Sequence, residues 1–240
     1  KNTVEFIDEV SGAPDWQLQE GNPLGAYLLY ETDGVWYDEA EIAGNTLDYS
    51  QVTPQLRPGD LKLVDYDGNG KIDGDDMVRQ QDSFTPRLQY GITLDLSYKN
   101  FDLSILFQGS QGGVSSLFNG EFGDWGNYYK YQHDNRWSID NPSRVHPRLA
   151  SRGDTWYTGG GYGNNTYNYG STDYFRLKNL ELGYNLPESI LGQGFISNFR
   201  LYASGLNLLT ITEFDMTDPE IANRTYPLQK VWNLGLRVNF

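Results

Sequence analysis

The sequence predicts an all-β chain that forms part of an antiparallel transmembrane β-barrel, with about six to eight strands and long loops. Three observations lead to this prediction. The last nine residues, 232–240, alternate between apolar side chains and polar residues or glycine. A hairpin with two alternating arms occupies 90–107. Short connections lie on one side of the predicted strands and long ones on the other, which is typical of outer-membrane barrels.

The terminal segment 232–240 has the period of two that marks a β-strand with one apolar face. Because the segment stops on the aromatic Phe240, no polar tail follows to solubilise the strand edge. Soluble proteins rarely leave such an edge bare, whereas a barrel pairs it. We therefore expect this strand to close a barrel. Its apolar residues are Trp232, Leu234, Leu236, Val238 and Phe240.

The first hairpin consists of arms at 90–98 and 101–107, joined by the short turn Lys99-Asn100. Each arm approaches the ~9–11 residues that cross a bilayer obliquely. Aromatic residues stand near the arm ends, where interfacial belts would lie. The alternating polar positions are expected to line a water-filled side; they include Asp95, Ser97, Asp102 and Ser104.

A second hairpin is predicted from 180–186, which alternates and ends at Pro187, and from the return arm 199–206. Large residues on both faces of the return arm leave its register open. Earlier strands are predicted at 24–30 and 3–10.

The predicted connections are unequal. Those at 99–100 and 187–197 are short, while 31–85, 111–172 and 209–229 are long. Outer-membrane barrels combine short periplasmic turns with long extracellular loops. A soluble domain seldom contains an irregular loop as long as 111–172.

Composition narrows the classes of function. The 240 residues include no Cys, so no disulfide stabilises the fold. The net charge is −14, concentrated in 1–80, where 17 acidic residues face 5 basic ones. This balance argues against nucleic acid as a partner, because phosphate binding needs a basic surface. No run approaches the ~20 apolar residues of a membrane-spanning helix. No signal peptide is visible, so we expect a mature or truncated chain.

An acidic segment at 65–76 fits the twelve-residue calcium-loop pattern. Oxygen donors stand at positions one, three, five, nine and twelve, and position seven offers a backbone carbonyl. Gly70 permits the sharp turn at position six, and Ile72 can anchor the loop to apolar neighbours. An Asp at position twelve, in place of the bidentate Glu, predicts lower affinity. The alternative is an acidic turn that binds nothing. The predicted Ca²⁺ ligands are Asp65, Asp67, Asn69, Lys71, Asp73 and Asp76.

The loop 111–172 carries twelve aromatic residues with polar residues between them. Aromatic faces stack on sugars or clamp peptides. Most of these rings are instead expected to pack against the loop itself or against neighbouring loops, leaving two or three to contact a ligand. The candidates for ligand contact are Trp125, Tyr128, Tyr129, Trp137 and Trp156.

Catalysis is poorly supported. The two histidines, His133 and His146, do not stand in a metal-binding spacing, and neither a Cys nucleophile nor a GxSxG motif occurs. Pairs of acids for glycoside hydrolysis can be nominated from 32 acidic residues and so carry little weight. We therefore expect a protein that is not an enzyme.

The ordered set of motifs resembles the C-terminal part of SusC/RagA-like TonB-dependent outer-membrane transporters. Each motif alone is weak, but their order over residues 23–240 is specific. The segments are Pro58–Lys62, Asp65–Asp76, Pro86–Gly91, Leu96–Ser104, Phe107–Gly109, Tyr174–Leu180, Leu182–Pro187, Gly205–Leu209, Asp218–Glu220, Tyr226–Pro227 and the final strand.

The resemblance implies a 22-stranded barrel with an N-terminal plug that this chain lacks. It implies active import of oligosaccharides or peptides across the outer membrane of a Gram-negative, Bacteroidetes-like cell. The implied partners are the remaining barrel and plug, a SusD-like surface lipoprotein, the TonB complex acting through the missing N-terminal part, and outer-membrane lipid. Asn233, Gly235, Val238 and Phe240 resemble the signal by which barrel assembly recognises a last strand.

Within such a barrel, Arg176 and Lys178 are expected to point outward near the outer rim and meet lipid phosphates. If the register slips there, they point inward instead. The alternative to the whole assignment is a secreted, calcium-stabilised, carbohydrate-binding β-sandwich without enzymatic activity. It would bury the apolar faces of the strands between two sheets.

Overall fold

The computed structural model describes residues 2–116, 130–151, 153–158, 163–191, 195–214, 218–221 and 228–240. The chain divides into two compact units. The loop unit consists of 1–85 and 113–171, and the sheet unit consists of 86–112 and 172–240.

Strands account for most of the regular structure. The strands are β1 (Ala26–Tyr30), β2 (Thr32–Val35), β3 (Leu61–Leu63), β4 (Met77–Ser83), β5 (Leu88–Tyr98), β6 (Phe101–Gln111), β7 (Val114–Ser116), β8 (Tyr169–Ser171), β9 (Tyr174–Asn185), β10 (Asn198–Thr212) and β11 (Val231–Asn239). The α-helices are α1 (Glu39–Ala43), α2 (Lys130–Asn135), α3 (Thr155–Thr158) and α4 (Glu188–Leu191). Single 3₁₀ turns occupy Asp15–Gln17, Gly74–Asp76, Thr166–Asn168 and Pro219–Ile221. No helix among the described residues is long and apolar enough to cross a membrane.

The sheet unit is one antiparallel sheet of five long strands, in the order β11-β10-β9-β6-β5. Both predicted hairpins are present. Their arms are longer than the alternating segments of the sequence from which they were predicted. The sequence predicts about six to eight strands. The long sheet has five because the strands upstream of residue 85 pair within the loop unit instead.

One face of this sheet is apolar across all five strands. Cross-strand pairs such as Leu96 with Leu103, and Leu103 with Leu182, place apolar side chains side by side. These side chains stay accessible: Leu94 is 43% exposed and Leu236 is 62% exposed. A β-sandwich would cover this face with a second sheet, and no such cover is present among the described residues.

The opposite face is polar. Ser104 pairs with Asp95 on one side and with Glu181 on the other. Asp102 and Glu181 both accept hydrogen bonds from Arg200, which joins three strands of this face. The prediction that Asp95, Ser97, Asp102 and Ser104 share a polar side agrees with the observed register.

An extra residue in β9 reverses the expected orientation of Arg176. Opposite β6, Asn179 pairs with Leu106 and Leu177 pairs with the next residue, Phe107, so Lys178 is a bulge. Because one inserted residue exchanges the two faces of a strand, Arg176 lies on the polar face beside Gln108. The prediction that Arg176 and Lys178 point outward was wrong, and the alternative of a slipped register is confirmed.

A matching irregularity explains the open register of β10. Asn207 adopts a positive φ of 51°, and the pairing with β9 shifts between Leu206 and Leu209. The Leu208 side chain then covers Gly205, where a Cβ would lie 2.7 Å from it. Large residues on both sides of this arm are therefore accommodated by a local change in twist.

The loop unit has its own hydrophobic core. The unit also contains three two-stranded sheets, β1–β4, β2–β3 and β7–β8. The connection 31–85 and the described residues of 111–172 thus contribute to a packed core. Its buried members are Tyr30, Val35, Trp36, Tyr49, Val52, Leu61, Leu63, Ile72, Ala150 and Trp156.

The strand predicted at 24–30 is confirmed as β1, whereas the strand predicted at 3–10 was wrong. That segment has no regular secondary structure. The amide of Val4 donates to the carbonyl of Asn22, and the carbonyl of Val4 accepts from the amide of Gly21, at 2.9 Å each. A single bonded residue does not continue into a ladder, so no strand forms there.

Charges placed on opposite faces of β6 should separate the roles of the two faces. We expect Leu103→Arg to reduce the folded fraction strongly, because a charge on a lipid-facing barrel surface costs about 2–4 kcal/mol at the midplane. Ser104→Arg, one residue along, should be tolerated because it lies between Asp95 and Glu181. Heat-modifiable gel mobility of the full-length protein measures the folded fraction. Equal losses in both variants would contradict the assignment of faces.

Candidate functional site

The acidic loop 65–76 is held in place by its eighth residue. Ile72 is fully buried in the core of the loop unit. Its amide donates to the carbonyl of Asp48 at 2.8 Å, and the amide of Asp48 donates to the carbonyl of Gly70 at 3.0 Å. This short parallel bridge does not use the carbonyl of Lys71. The anchoring role predicted for Ile72 is therefore observed.

Three of the predicted ligands converge. Carboxylate oxygens of Asp65, Asp67 and Asp76 lie within 4.8 Å of one another. Asp76 is 1% exposed, and burial raises the pKa of its carboxyl group. Amides of Tyr66 and Asp73 donate to its two oxygens at 2.7 and 2.9 Å. The three carboxylates therefore concentrate negative charge at one point, and the backbone of the acidic loop curves around that point.

The other predicted ligands lie on the same loop but turn their side chains to neighbouring amides. The Asn69 side-chain oxygen accepts from the Lys71 amide at 2.8 Å, and Asp73 accepts from the Asp75 amide at 2.9 Å. Ca²⁺ takes six to eight oxygens, and carboxylates are among its preferred donors. The donor set therefore fits a hard cation, with three carboxylates meeting and the others within the same twelve residues.

The acidic loop also anchors the N-terminal segment. Trp16 Nε1 donates to the carbonyl of Asp75 at 2.8 Å, and Gln17 Nε2 donates to the carbonyl of Gly74 at 2.7 Å. The rings of Trp16 and Tyr66 lie 5.2 Å apart. These contacts hold residues 15–17 against the acidic loop.

A second constrained loop, 57–60, lies under the aromatic ligand candidate Trp137. Gly59 has a φ of +92°, and a Cβ on it would lie 2.8 Å from the Trp137 ring and 2.7 Å from Arg148. The Gly59 amide donates to the carbonyl of Trp36 at 2.7 Å. Only glycine combines this backbone conformation with such close approach.

Asp60 connects this loop to the segment that follows α2. It is fully buried, accepts from the amide of Arg57 at 2.9 Å and forms an ion pair with Arg148 at 2.6 Å. Burial raises the pKa of the Asp60 carboxyl group to about 6. Arg148 also binds Asp154 at 2.9 Å, and this hydrogen bond lowers the pKa of Asp154. The network fixes the Pro58-Gly59-Asp60 turn against Arg148 and Asp154, which belong to the stretch 113–171 of the loop unit.

The structure separates the aromatic ligand candidates. Trp156 is 1% exposed and belongs to the core, so its proposed ligand contact was wrong: its ring packs inside the unit. Trp137 is half-buried, packs against the core with one part and lines an open groove with another. Trp125, Tyr128 and Tyr129 lie outside the described residues.

The two histidines do not form a metal site with other described residues. His133 is exposed, and His146 Nδ1 lies 2.8 Å from the hydroxyl of Tyr167. Burial lowers the pKa of His146.

Sequence reasoning missed a charged cluster on the polar face of the sheet. Arg176 is 1% exposed, donates to Asp218 and Glu220 at 2.8 Å each, and donates to the Thr210 hydroxyl at 3.0 Å. Lys178 binds Glu220 at 2.7 Å. Removing one partner of a buried ion pair typically costs about 3–5 kcal/mol. The cluster therefore holds residues 218–221 against the polar face.

The predicted closure signal lies on the edge strand β11 and just after it. Gly235 is located where the Tyr202 ring covers the backbone, which leaves no room for a side chain. Phe240 is 74% exposed, and its ring lies 5.3 Å from that of Phe195. The role of the signal in assembly stays a prediction. The cross-strand partners are Ser204 for Asn233, Tyr202 for Gly235 and Phe199 for Val238.

No protein-family model matches the chain. TonB-dependent receptor P3 of Formosa agariphila is 34% identical over 93% of this chain and 23% of its own length. TonB-dependent receptor P26 of the same organism is 30% identical over 99% of this chain and 25% of its own length.

The chain is a relative of the TonB-dependent receptors. It spans about a quarter of the length of these relatives, and the family resemblance seen in the sequence is confirmed. The names of the relatives describe receptors rather than enzymes.

The chain also resembles solved structures in its fold. The RagAB peptide importer in its open-open state superposes with a TM-score of 0.64 at 23% identity, over 97% of this chain and 24% of that chain. Its closed-closed state gives 0.60 at 26% identity, over 90% of this chain and 23% of that chain. The sheet unit is thus a portion of an antiparallel transmembrane β-barrel.

We expect Gly59→Ala to destabilise the loop unit by about 2–4 kcal/mol, because both the positive φ and the contact with Trp137 oppose a methyl group. Gly68→Ala is the matched control, since Gly68 has a φ of +75° but nothing within 4 Å of a Cβ. It should lose only about 1–2 kcal/mol. Amide hydrogen exchange of 57–60 in the full-length protein measures the difference. Equal losses would show that Trp137 imposes no constraint.

Proposed function

We propose that the chain is the C-terminal part of an outer-membrane, TonB-dependent importer of oligosaccharides or peptides. The observation that carries the proposal is the exposed apolar face that continues across five strands in a relative of TonB-dependent receptors. In this role the chain supplies wall strands and substrate-facing loops, and it performs no covalent chemistry.

Unpaired backbone groups at the sheet edges support the need for a larger barrel. Among the described strands, β5 and β11 each have a neighbour on one side only. An unsatisfied backbone group in hydrocarbon costs several kcal/mol. We propose that β5 and β11 pair with strands of the remaining barrel, which also contains the plug and the segment that contacts TonB.

The loop unit is proposed to face the cell exterior, where a SusD-like lipoprotein would cover it. Its core allows it to present a fixed surface instead of mobile loops. The RagAB peptide importer, which the chain resembles in fold, has an open-open and a closed-closed state, and this likeness supports a transport role. Oligosaccharide and peptide both remain within the proposal.

Loss of Phe240 should abolish import because the closing strand can no longer be recognised during assembly. In cells lacking the full-length gene, we expect the wild-type gene to restore depletion of labelled oligosaccharides or peptides from the medium, and an uncoupler to block it. Deletion of Phe240 should remove both the heat-modifiable barrel and the uptake. Phe6→Ser, at a ring 81% exposed in the loop unit, is the control and should retain both. Uptake that persists without the gene would contradict the proposal.

We also propose that 65–76 binds one structural Ca²⁺ ion, which would order the acidic loop and the attached residues 15–17. Calcium titration of the intact protein in detergent should show one site by calorimetry. Asp67→Asn should weaken binding at least about tenfold, since it removes a charged ligand. Asp75→Asn, an exposed acid next to the ligands, should leave affinity unchanged. Equal affinities for the two variants would contradict the assignment.

A further inference from the structure

An open groove of about 650 Å³ runs along the loop unit between α1, the 57–60 loop and the segment after α2. Ligand pockets usually measure about 300–1,000 Å³, so this volume can accept a short oligomer. Neither the proposed calcium loop nor the core of the unit lines the groove.

One wall of the groove is apolar and rigid. Pro58, Trp137, Ile139 and Pro142 contribute to it. Ile139 is 86% exposed, so its aliphatic side chain is accessible to a ligand. The Trp137 indole N–H already donates to the carbonyl of Tyr37 at 3.0 Å, so this ring offers a ligand its surface rather than its hydrogen-bond donor.

The arginines of the groove are neutralised by ion pairs, whereas two of its acidic residues are not within the described part of the chain. Its cations are committed: Arg57 binds Asp154 at 3.0 Å, and Arg148 binds Asp60 and Asp154. The acids Asp38 and Glu39 are exposed, and among the described residues neither has a cationic partner. The Asp38 carboxylate accepts a hydrogen bond from the Glu41 amide at the start of α1 at 2.9 Å. The groove therefore presents net negative charge beside an apolar wall.

We propose that this groove binds a peptide, with an ammonium group against Asp38 and Glu39 and an aliphatic side chain on Ile139 and Trp137. The inference rests on the proposed import function and supplies the substrate class that it leaves open. A neutral oligosaccharide would bring neither a cation for the two acids nor a branched aliphatic group for the isoleucine and proline wall. A peptide brings both at adjacent positions.

The test is calorimetric binding to the intact protein in detergent, with Leu-Lys-Leu amide as probe. We expect Glu39→Gln to weaken binding about two- to fivefold, the effect of one exposed charge pair. Ile139→Ser should weaken it about fivefold or more through lost apolar contact. Asp33→Asn removes an exposed acid that does not line the groove and should leave binding unchanged.

Two analogues identify the source of the ammonium group. N-acetyl-Leu-Lys-Leu amide keeps only the lysine, and Leu-Gln-Leu amide keeps only the α-amine. One of them should bind more weakly than the parent peptide. Equal binding of all three peptides would show that the groove does not recognise the positive charge, and this result would overturn the proposal.

The proposal is also overturned if Glu39→Gln and Ile139→Ser leave peptide binding unchanged, or if maltotetraose binds and Ile139→Ser abolishes that binding. Because binding is measured without an energised membrane, a failure of uptake would count against the import function alone.

Discussion

The separation of an apolar from a polar surface along every strand of the sheet is the constraint on which the rest of the structure depends. Because side chains alternate, a single residue too many would place charges among the leucines. The bulge at Lys178 and the positive φ of Asn207 absorb such residues. They keep Phe175 and Leu177 on one surface while bringing Arg176 to the other. The ion pairs of Arg176 with Asp218 and Glu220 follow directly from that shift.

The loop unit solves a different problem, which is to hold long connections in one conformation. It does so by a small core into which two constrained loops insert. Ile72 brings the acidic loop to this core, and Asp60 ties the second loop to Arg148. Each loop needs glycine at positions with positive φ, as at Gly59 and Gly70. Rigid loops reduce the entropy that must be lost when a ligand binds.

Much of the sheet could be predicted from sequence because its strands are long and their alternation is local. The geometry of the acidic loop could also be predicted, because the spacing of its residues determines how the loop turns. The placement of Arg176 was predicted only as the alternative of a slipped register, although the sequence holds a signal for it. Apolar residues fall at 175 and 177, then at 180 and 182, with the polar pair Lys178-Asn179 between the two phases. A change of phase of this kind predicts a bulge.

The core of the loop unit could not be predicted in the same way. Its strands β2 and β3 have four and three residues and lie far apart in the chain, so no local period reveals their pairing. The burial of Trp156 likewise has no signature that distinguishes it from the half-buried Trp137. Both rings stand among polar neighbours in one long segment, and tertiary contacts alone decide which of them remains accessible.

The loop unit is assembled from two stretches of chain, 1–85 and 113–171, with the β5–β6 hairpin between them. Ala150 and Trp156 from the second stretch complete a core begun by Val35 and Leu61 in the first. Recombination that exchanged only one stretch between paralogues would pair mismatched halves of a core. Gene exchange that changes specificity should therefore transfer both stretches together, along with the β5–β6 hairpin that lies between them.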